Sequence, residues 1–315
     1  YAFGTNPCSE IILRPNQFCN LTEVVCRPAD TVETLKNKIE VATILGTIQA
    51  TLTNFGYLRK RWKDNTEEER LLGVSLTGIM DNSILSRRRN TLPETLQEMR
   101  QKAVTVNKEW SEKLGIPQST AITCVKPSGT VSQLVDSASG IHARHNPYYI
   151  RTVRGDKKDP LTEFMKDQGI PCEDDVMNPH NAVFSFPMKA DSNAVFRDDM
   201  TAIEQLEIWK CYAEHWCEHK PSVTISVKEH EWINVGNWCW DNFDALSGIS
   251  FLPFSDHTYQ QAPYQDIDKA TYEELASKMP KNINWSELSK FEKEDTTKGS
   301  QELACTAGSC ELVDI

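Results

Sequence analysis

Leu35, Ile39, Ala42, Leu45, Ile48, Leu52 and Phe55 recur at steps of three and four, a spacing that predicts a long amphipathic helix. The stretch 59–70 is charged, lacks an apolar stripe and reads as a solvated connection. Next comes Leu71-Leu-Gly-Val-Ser-Leu-Thr-Gly78, short, apolar and glycine-punctuated, which predicts a buried strand entering a turn. Thr91-Leu-Pro-Glu94 has the form of a capping box with an early proline. It opens a second helix, on which Leu92, Leu96, Met99, Ala103, Val106 and Trp110 share a face. Residues 121–125, 182–187, 223–227 and 249–254 are strand candidates. Helical patterns lie among them, one on Ile203, Leu206, Trp209, Ala213 and Trp216, another on Trp232, Val235, Cys239 and Phe243. Strands alternating with helices imply parallel βα units and an α/β fold. Beyond 255 the pattern thins. Thr271-Tyr-Glu-Glu274 caps a short helix, 285–291 forms another, and 292–301 is a polar tether to a C-terminal tail. The boundaries drawn this way are 1–254, 255–291 and 292–315.

At 315 residues the chain exceeds one average domain and can bury a large core. A net charge of -11 argues against non-specific binding to nucleic acid or anionic membrane, though not against a local cationic pocket. No apolar run approaches the ~20 residues of a membrane span, and no signal-peptide pattern is present. The ten cysteines are scattered through long amphipathic segments rather than packed into a short framework. A few working thiols in a reducing cytoplasm is the better reading. The chain begins at Tyr1 rather than Met, with its most reactive motif five residues on, and is expected to be the C-terminal piece of a longer protein.

That motif is Asn6-Pro7-Cys8-Ser9-Glu10, followed by Phe18-Cys19-Asn20-Leu21. In an extended backbone, residues at i, i+2 and i+4 project to one side, so the Asn6 amide, the Cys8 thiol and the Glu10 carboxylate can meet one substrate. They offer a hydrogen-bonding amide, a nucleophilic or radical sulfur and a general base. The plain alternative is an Asn-Pro turn with an incidental cysteine. Lys126-Pro-Ser-Gly-Thr-Val-Ser132 sits at an expected strand-to-helix junction, where Pro127, Ser128, Gly129, Thr130 and Ser132 can present backbone N–H groups and hydroxyls to phosphate oxygens. It lacks the Gly-x4-Gly-Lys pattern of a Walker loop. Cys305 and Cys310 lie among small residues after the tether, as a mobile dithiol would. Cys211, His215, Cys217 and His219 suggest metal ligands, but on a helix 217 points away from the other three, so ordinary packing is preferred and no metal is expected.

Asn-Pro-Cys-x-Glu with Cys19 eleven positions on, the Lys126–Ser132 loop and the terminal Cys305-Thr-Ala-Gly-Ser-Cys310 together resemble ribonucleotide reductases. The closest likeness is to the adenosylcobalamin-dependent class that reduces ribonucleoside triphosphates, and it extends through Gly248-Ile-Ser-Phe-Leu-Pro253 and Gln261-Ala-Pro-Tyr264. The resemblance implies a ten-stranded α/β barrel with the reactive cysteine on a central finger loop. It makes Cys8 the thiyl radical, Glu10 the base for the 3'-hydroxyl proton and Asn6 a substrate hydrogen-bonding group. Cys19 becomes one of two reducing thiols, its partner lying upstream, so the fragment alone is expected to be inactive. Cys305 and Cys310 become the shuttle re-reduced by a thioredoxin-like partner. Tyr148-Tyr149 resembles the radical-relay pair of the two-subunit class, but 166 residues follow it here, and strand packing is the expected use. No glycyl-radical loop is present, which leaves adenosylcobalamin as the implied cofactor. A two-subunit diphosphate reductase and a non-catalytic thiol-rich nucleotide-binding domain remain as alternatives.

Overall fold

The computed structural model describes residues 2–86, 90–254 and 259–292. The chain opens on two short strands, β1 (Gly4–Thr5) and β2 (Ile12–Leu13), paired antiparallel with Gly4 opposite Leu13. Then come β3 (Asn20–Val25), α1 (Val32–Gln49), α2 (Lys60–Glu69), β4 (Leu72–Thr77), α3 (Leu92–Leu114) and the single turn α4 (Val131–Leu134). β5 (Tyr148–Asp156), α5 (Pro160–Asp167), β6 (Cys172–Asp174) and β7 (Asn181–Lys189) follow. Next are α6 (Ala202–His215), β8 (Val223–Val227), α7 (Trp232–Asp241) and β9 (Ile249–Pro253). β10 (Tyr264–Asp266), α8 (Lys269–Lys278) and a 3-10 turn at Trp285–Lys290 complete the described chain. Contacts divide these residues into two compact units: one holds those up to Arg144 and from 191 to 254, the other those of 145–190 and 259–292. The sequence-based boundaries placed 145–190 in the first division.

In the larger unit, β3 pairs parallel with β4 and β8 with β9. Residues 121–125, expected as a strand, form single parallel bridges instead, Thr123 to Val74 and Val125 to Pro221. Five extended segments thus run side by side. On β4, Leu72, Val74 and Leu76 face the core that α1, α3 and α6 build with Leu35, Ile39, Leu96, Met99, Leu206 and Trp209. Gly73, Ser75 and Thr77 face the other way. α1 begins at a Thr31–Thr34 capping box and ends at Gln49, so Phe55 lies beyond it. The expected box at Thr91 does not form: Thr91 already has helical dihedrals and its side chain makes no cap bond, leaving the proline in the first turn to start α3. The stretch 59–70 is a helix rather than a solvated connection. α2 has no long apolar stripe. It carries Lys60–Asp64 and Lys63–Glu67 pairs and docks onto the loop between β2 and β3 through Arg14 to Glu68, at 3.1 Å, and Trp62 against Phe18.

The smaller unit corrects the expectation of parallel pairing throughout. Its sheet runs β10-β5-β7-β6 with every neighbour antiparallel. Pro187 is tolerated in β7 because β6 stops opposite Phe184, leaving the proline with β5 as its neighbour. Ile170, Ala182 and Phe184 form a small core. α8 is capped by Asp268, which accepts from the Thr271 amide at 2.7 Å; Thr271 lies inside the helix rather than capping it. Tyr149 is buried in this sheet against the rings of His145 and Tyr264. Among the described residues no helix is long and apolar enough to cross a membrane.

Candidate active site

β1 and β2 form a hairpin whose connecting residues, 6–11, carry the Asn-Pro-Cys-Ser-Glu motif. Its shape comes from a turn rather than from strand alternation. The Ser9 amide donates to the Asn6 carbonyl at 3.0 Å, Ser9 takes a left-handed φ of 63°, and the Ile11 amide donates to Asn6 Oδ1 at 3.1 Å. The turn folds Asn6 back onto Glu10, so that Asn6 Nδ2 donates to Glu10 Oε1 at 2.6 Å. Cys8 is exposed at the tip. Glu10 is fully buried, and its carbonyl accepts from the Lys220 amide at 2.9 Å.

The hairpin lies over the Gly73 side of β4. A Cβ on Gly73 would stand 2.4 Å from Leu21 Cδ2 and 3.3 Å from both Cys19 Sγ and Ile11 Cδ1, so the missing side chain makes the room that Cys19 and the hairpin occupy. Cys19 is half-buried, and crowding around its sulfur together with the Glu10 charge pushes the thiol up to about 12, against the opposing charge of Lys126. It is therefore a thiol, not a thiolate, at neutral pH.

Lys126 closes the arrangement. Its Nζ donates to Glu10 Oε1 at 2.5 Å. Burial works against the ammonium, but the hydrogen bond and charge of Glu10 outweigh it and hold Lys126 above the ordinary lysine range. Cys8 lies within its electrostatic reach. Glu10 Oε2, by contrast, is buried without a hydrogen-bond partner among the described residues. Such an oxygen costs about 1–3 kcal/mol unless something donates to it.

Lys126 is also the first residue of the expected phosphate loop. Its amide donates to Ser75 Oγ at 2.9 Å. Ser128, at a left-handed φ of 56°, donates through Oγ to Glu23 Oε2 at 2.8 Å, and Ser132 Oγ pairs with Ser139 Oγ at 2.7 Å. These two hydroxyls are thus engaged inside the protein, whereas Gly129 and Thr130 are exposed at the start of α4 and Pro127 is half-buried. Burial raises the Glu23 carboxyl, with the Ser128 bond and the Lys126 charge opposing. The segment after the loop is tied down by buried Asp81, which accepts from the Ala138 amide at 2.7 Å and is gripped by the Arg144 guanidinium at 2.8 and 3.1 Å.

Asn6, Glu10, Cys19 and the head of the loop are therefore brought together in one unit, with Cys8 exposed beside them. Cys305 and Cys310 lie outside the described residues. Three groups escaped the sequence reading: Lys126 as the partner of Glu10, Glu23 as the partner of Ser128, and Gly73 as the gap beneath the hairpin. The histidine-cysteine cluster does not assemble. His219 Nε2 donates to the Leu72 carbonyl at 2.7 Å, His215 pairs with Gln97, and no group of three metal-ligating side chains occurs among the described residues.

The chain superposes on a crystal structure of B-12 dependent (class II) ribonucleotide reductase with a TM-score of 0.79, over 92% of this chain and 44% of that one, at 24% identity. The two share a fold. No family model matches the sequence. Curated homologues do: an adenosylcobalamin-dependent ribonucleoside-triphosphate reductase of Lactobacillus delbrueckii subsp. bulgaricus is 26% identical over 98% of this chain, and one of Euglena gracilis is 29% identical over 98%. A probable enzyme of the same name from Dictyostelium discoideum is 28% identical over 99%. The chain spans 45%, 42% and 40% of these three relatives, less than half of each.

Proposed function

We propose that this chain carries the radical-bearing hairpin of an adenosylcobalamin-dependent ribonucleoside-triphosphate reductase, which converts ribonucleotides to 2'-deoxyribonucleotides. The observation that carries the reading is the pairing of an exposed thiol, Cys8, with a buried carboxylate whose Oε1 is held by Asn6 and Lys126 while Oε2 has no partner. The five parallel segments of the larger unit are read as half of a ten-stranded barrel around that hairpin.

Hydroxide is a poor leaving group from an unactivated 2' carbon, and a radical at the neighbouring 3' carbon makes its loss as water feasible. Cys8, as a thiyl radical, takes the 3' hydrogen and returns it at the end. Glu10 Oε2 accepts the 3'-hydroxyl proton, a hydrogen bond that also satisfies the orphaned oxygen. Asn6 holds Glu10 and hydrogen-bonds the substrate. Cys19 and a second thiol supply two protons and two electrons, so that ribonucleotide and dithiol become deoxyribonucleotide, water and a disulfide. The protonated state of Cys19 suits a thiol that must deliver hydrogen. Gly129 and Thr130, exposed beside Pro127, Ser128 and Ser132, are read as the groups that meet the phosphates.

The exposed tip suits the implied cofactor, since the Cys8 sulfur is open to a bulky partner. Adenosylcobalamin, when bound, would supply the hydrogen-abstracting radical that converts the Cys8 thiol to a thiyl. Cys305 and Cys310 would reduce the active-site disulfide by exchange and be restored by thioredoxin or a similar reductant. The eight free cysteines among the described residues fit a reducing, cytoplasmic setting. In the full-length protein, Cys8→Ser is expected to abolish deoxynucleotide formation from triphosphates with adenosylcobalamin and thioredoxin. Continued formation would refute the assignment.

A further inference from the structure

The Lys126 ammonium is where the hairpin and the loop meet. It donates to Glu10 Oε1, the oxygen that also accepts from Asn6, and its field reaches Glu23, Cys19 and Cys124. Its main chain is pinned on both sides, by Ser75 Oγ at the amide and by the close approach of Gly140 at the carbonyl. Glu10 also acts electrostatically on Cys19, Cys124 and His219. The two thiols can carry no positive charge, and burial pushes His219 down, so none of the three supplies one at neutral pH. Lys220, whose amide holds the Glu10 carbonyl, places its charge near Cys217.

A fully buried carboxylate without a counter-charge takes up a proton, and a protonated carboxyl cannot accept one from a sugar hydroxyl. We propose that Lys126 is a positioning residue for the reaction: it sets a counter-charge against the buried Glu10 carboxylate, occupies Oε1 so that Oε2 is left to receive the hydroxyl proton, and ties that base to the loop that meets the phosphates. The inference rests on the functional reading above and adds a residue to it. Lys126 acts through Glu10 and carries no proton to or from the substrate.

The test is steady-state kinetics of the full-length protein over a range of pH, with Lys126→Met, Lys126→Arg, Glu10→Gln and the Lys126→Met/Glu10→Gln pair. Lys126→Met is expected to lower kcat by about 10²-fold or more while KM changes little, because what is lost is general-base function rather than binding. The acid limb of its kcat profile moves to higher pH. Lys126→Arg, which keeps the charge, recovers most of the rate, and Lys126→Met costs little further once Glu10 is Gln. An unchanged kcat and acid limb would overturn the inference. So would a loss confined to KM, which would make Lys126 a phosphate ligand, or a full further loss in the Glu10→Gln background. If Lys126→Met does not fold, Lys126→Gln read by the same profile decides. Wild-type protein that makes no deoxynucleotide would remove the functional reading itself, a different result from an active wild type with an indifferent Lys126.

Discussion

Cys19 offers a measurement that needs no turnover. Its thiol is raised from the ordinary 9.0 to about 12, by burial first and the Glu10 charge second. Near about pH 8 this lowers the thiolate fraction by about a thousandfold against an unperturbed thiol. The more basic thiolate is the better nucleophile, and a Brønsted coefficient of about 0.4–0.5 recovers roughly 15- to 30-fold. Alkylation of Cys19 should therefore run roughly 30–60 times slower than that of an ordinary thiol of equal access. The shape of the pH dependence is more telling than the rate. An ordinary thiol stops accelerating once the pH passes its value of 9.0, whereas Cys19 should keep gaining about tenfold per pH unit up to about pH 11. Differential labelling with iodoacetamide, read by mass spectrometry at each cysteine, resolves the two curves. Glu10→Gln should speed Cys19 labelling and Lys126→Met should slow it, since their charges act in opposite directions. A Cys19 curve that levels near the ordinary value, or that ignores both substitutions, would refute the reasoning.

Gly140→Ala places a Cβ 2.2 Å from the Lys126 carbonyl at a residue with φ of 53°, so unfolding in urea should show a loss of about 3 kcal/mol or more. A loss under about 0.5 kcal/mol would mean that the loop shifts freely. Glu23 is raised above its ordinary 4.5 mainly by burial, so the native state holds that proton more tightly than the unfolded chain. Its contribution to stability is fully present below 4.5 and declines as pH rises through the folded-state value. Glu23→Gln should therefore stabilise the protein at neutral pH, by about 1 kcal/mol at most, and should give no gain in acid; denaturation at both pH values checks this. Cys305→Ser with Cys310→Ser should block repeated turnover with thioredoxin while sparing a single turnover by prereduced enzyme. Equal loss in both assays would argue against a shuttle.

Much of the framework was legible because burial writes a period into the chain. The apolar steps of α1, α3 and α6 and the short apolar runs of β4, β8 and β9 pointed to those elements directly. α2 was not, because a helix held by surface ion pairs and by Arg14 and Phe18 from another segment leaves no stripe of its own. Nor was the antiparallel sheet of the smaller unit, since alternation of strand and helix does not specify direction when a short strand such as β6 intervenes. At the site, type and spacing marked Asn6, Cys8 and Glu10 as candidates, and the structure sets Asn6 against Glu10. Lys126 stood in plain view at the head of its motif, yet its link to Glu10 spans 116 residues of sequence and only the fold could supply it. Gly73 was read as strand punctuation, when its use is the space it leaves for Cys19.

Two rungs of backbone pairing are too few to steady a hairpin by themselves. The bond from the Lys220 amide to the Glu10 carbonyl anchors it from the far side of the sequence. Loosening the backbone around 220 should therefore blunt the chemistry while the helices stay intact, and a healthy circular-dichroism spectrum would be no guarantee of a working enzyme.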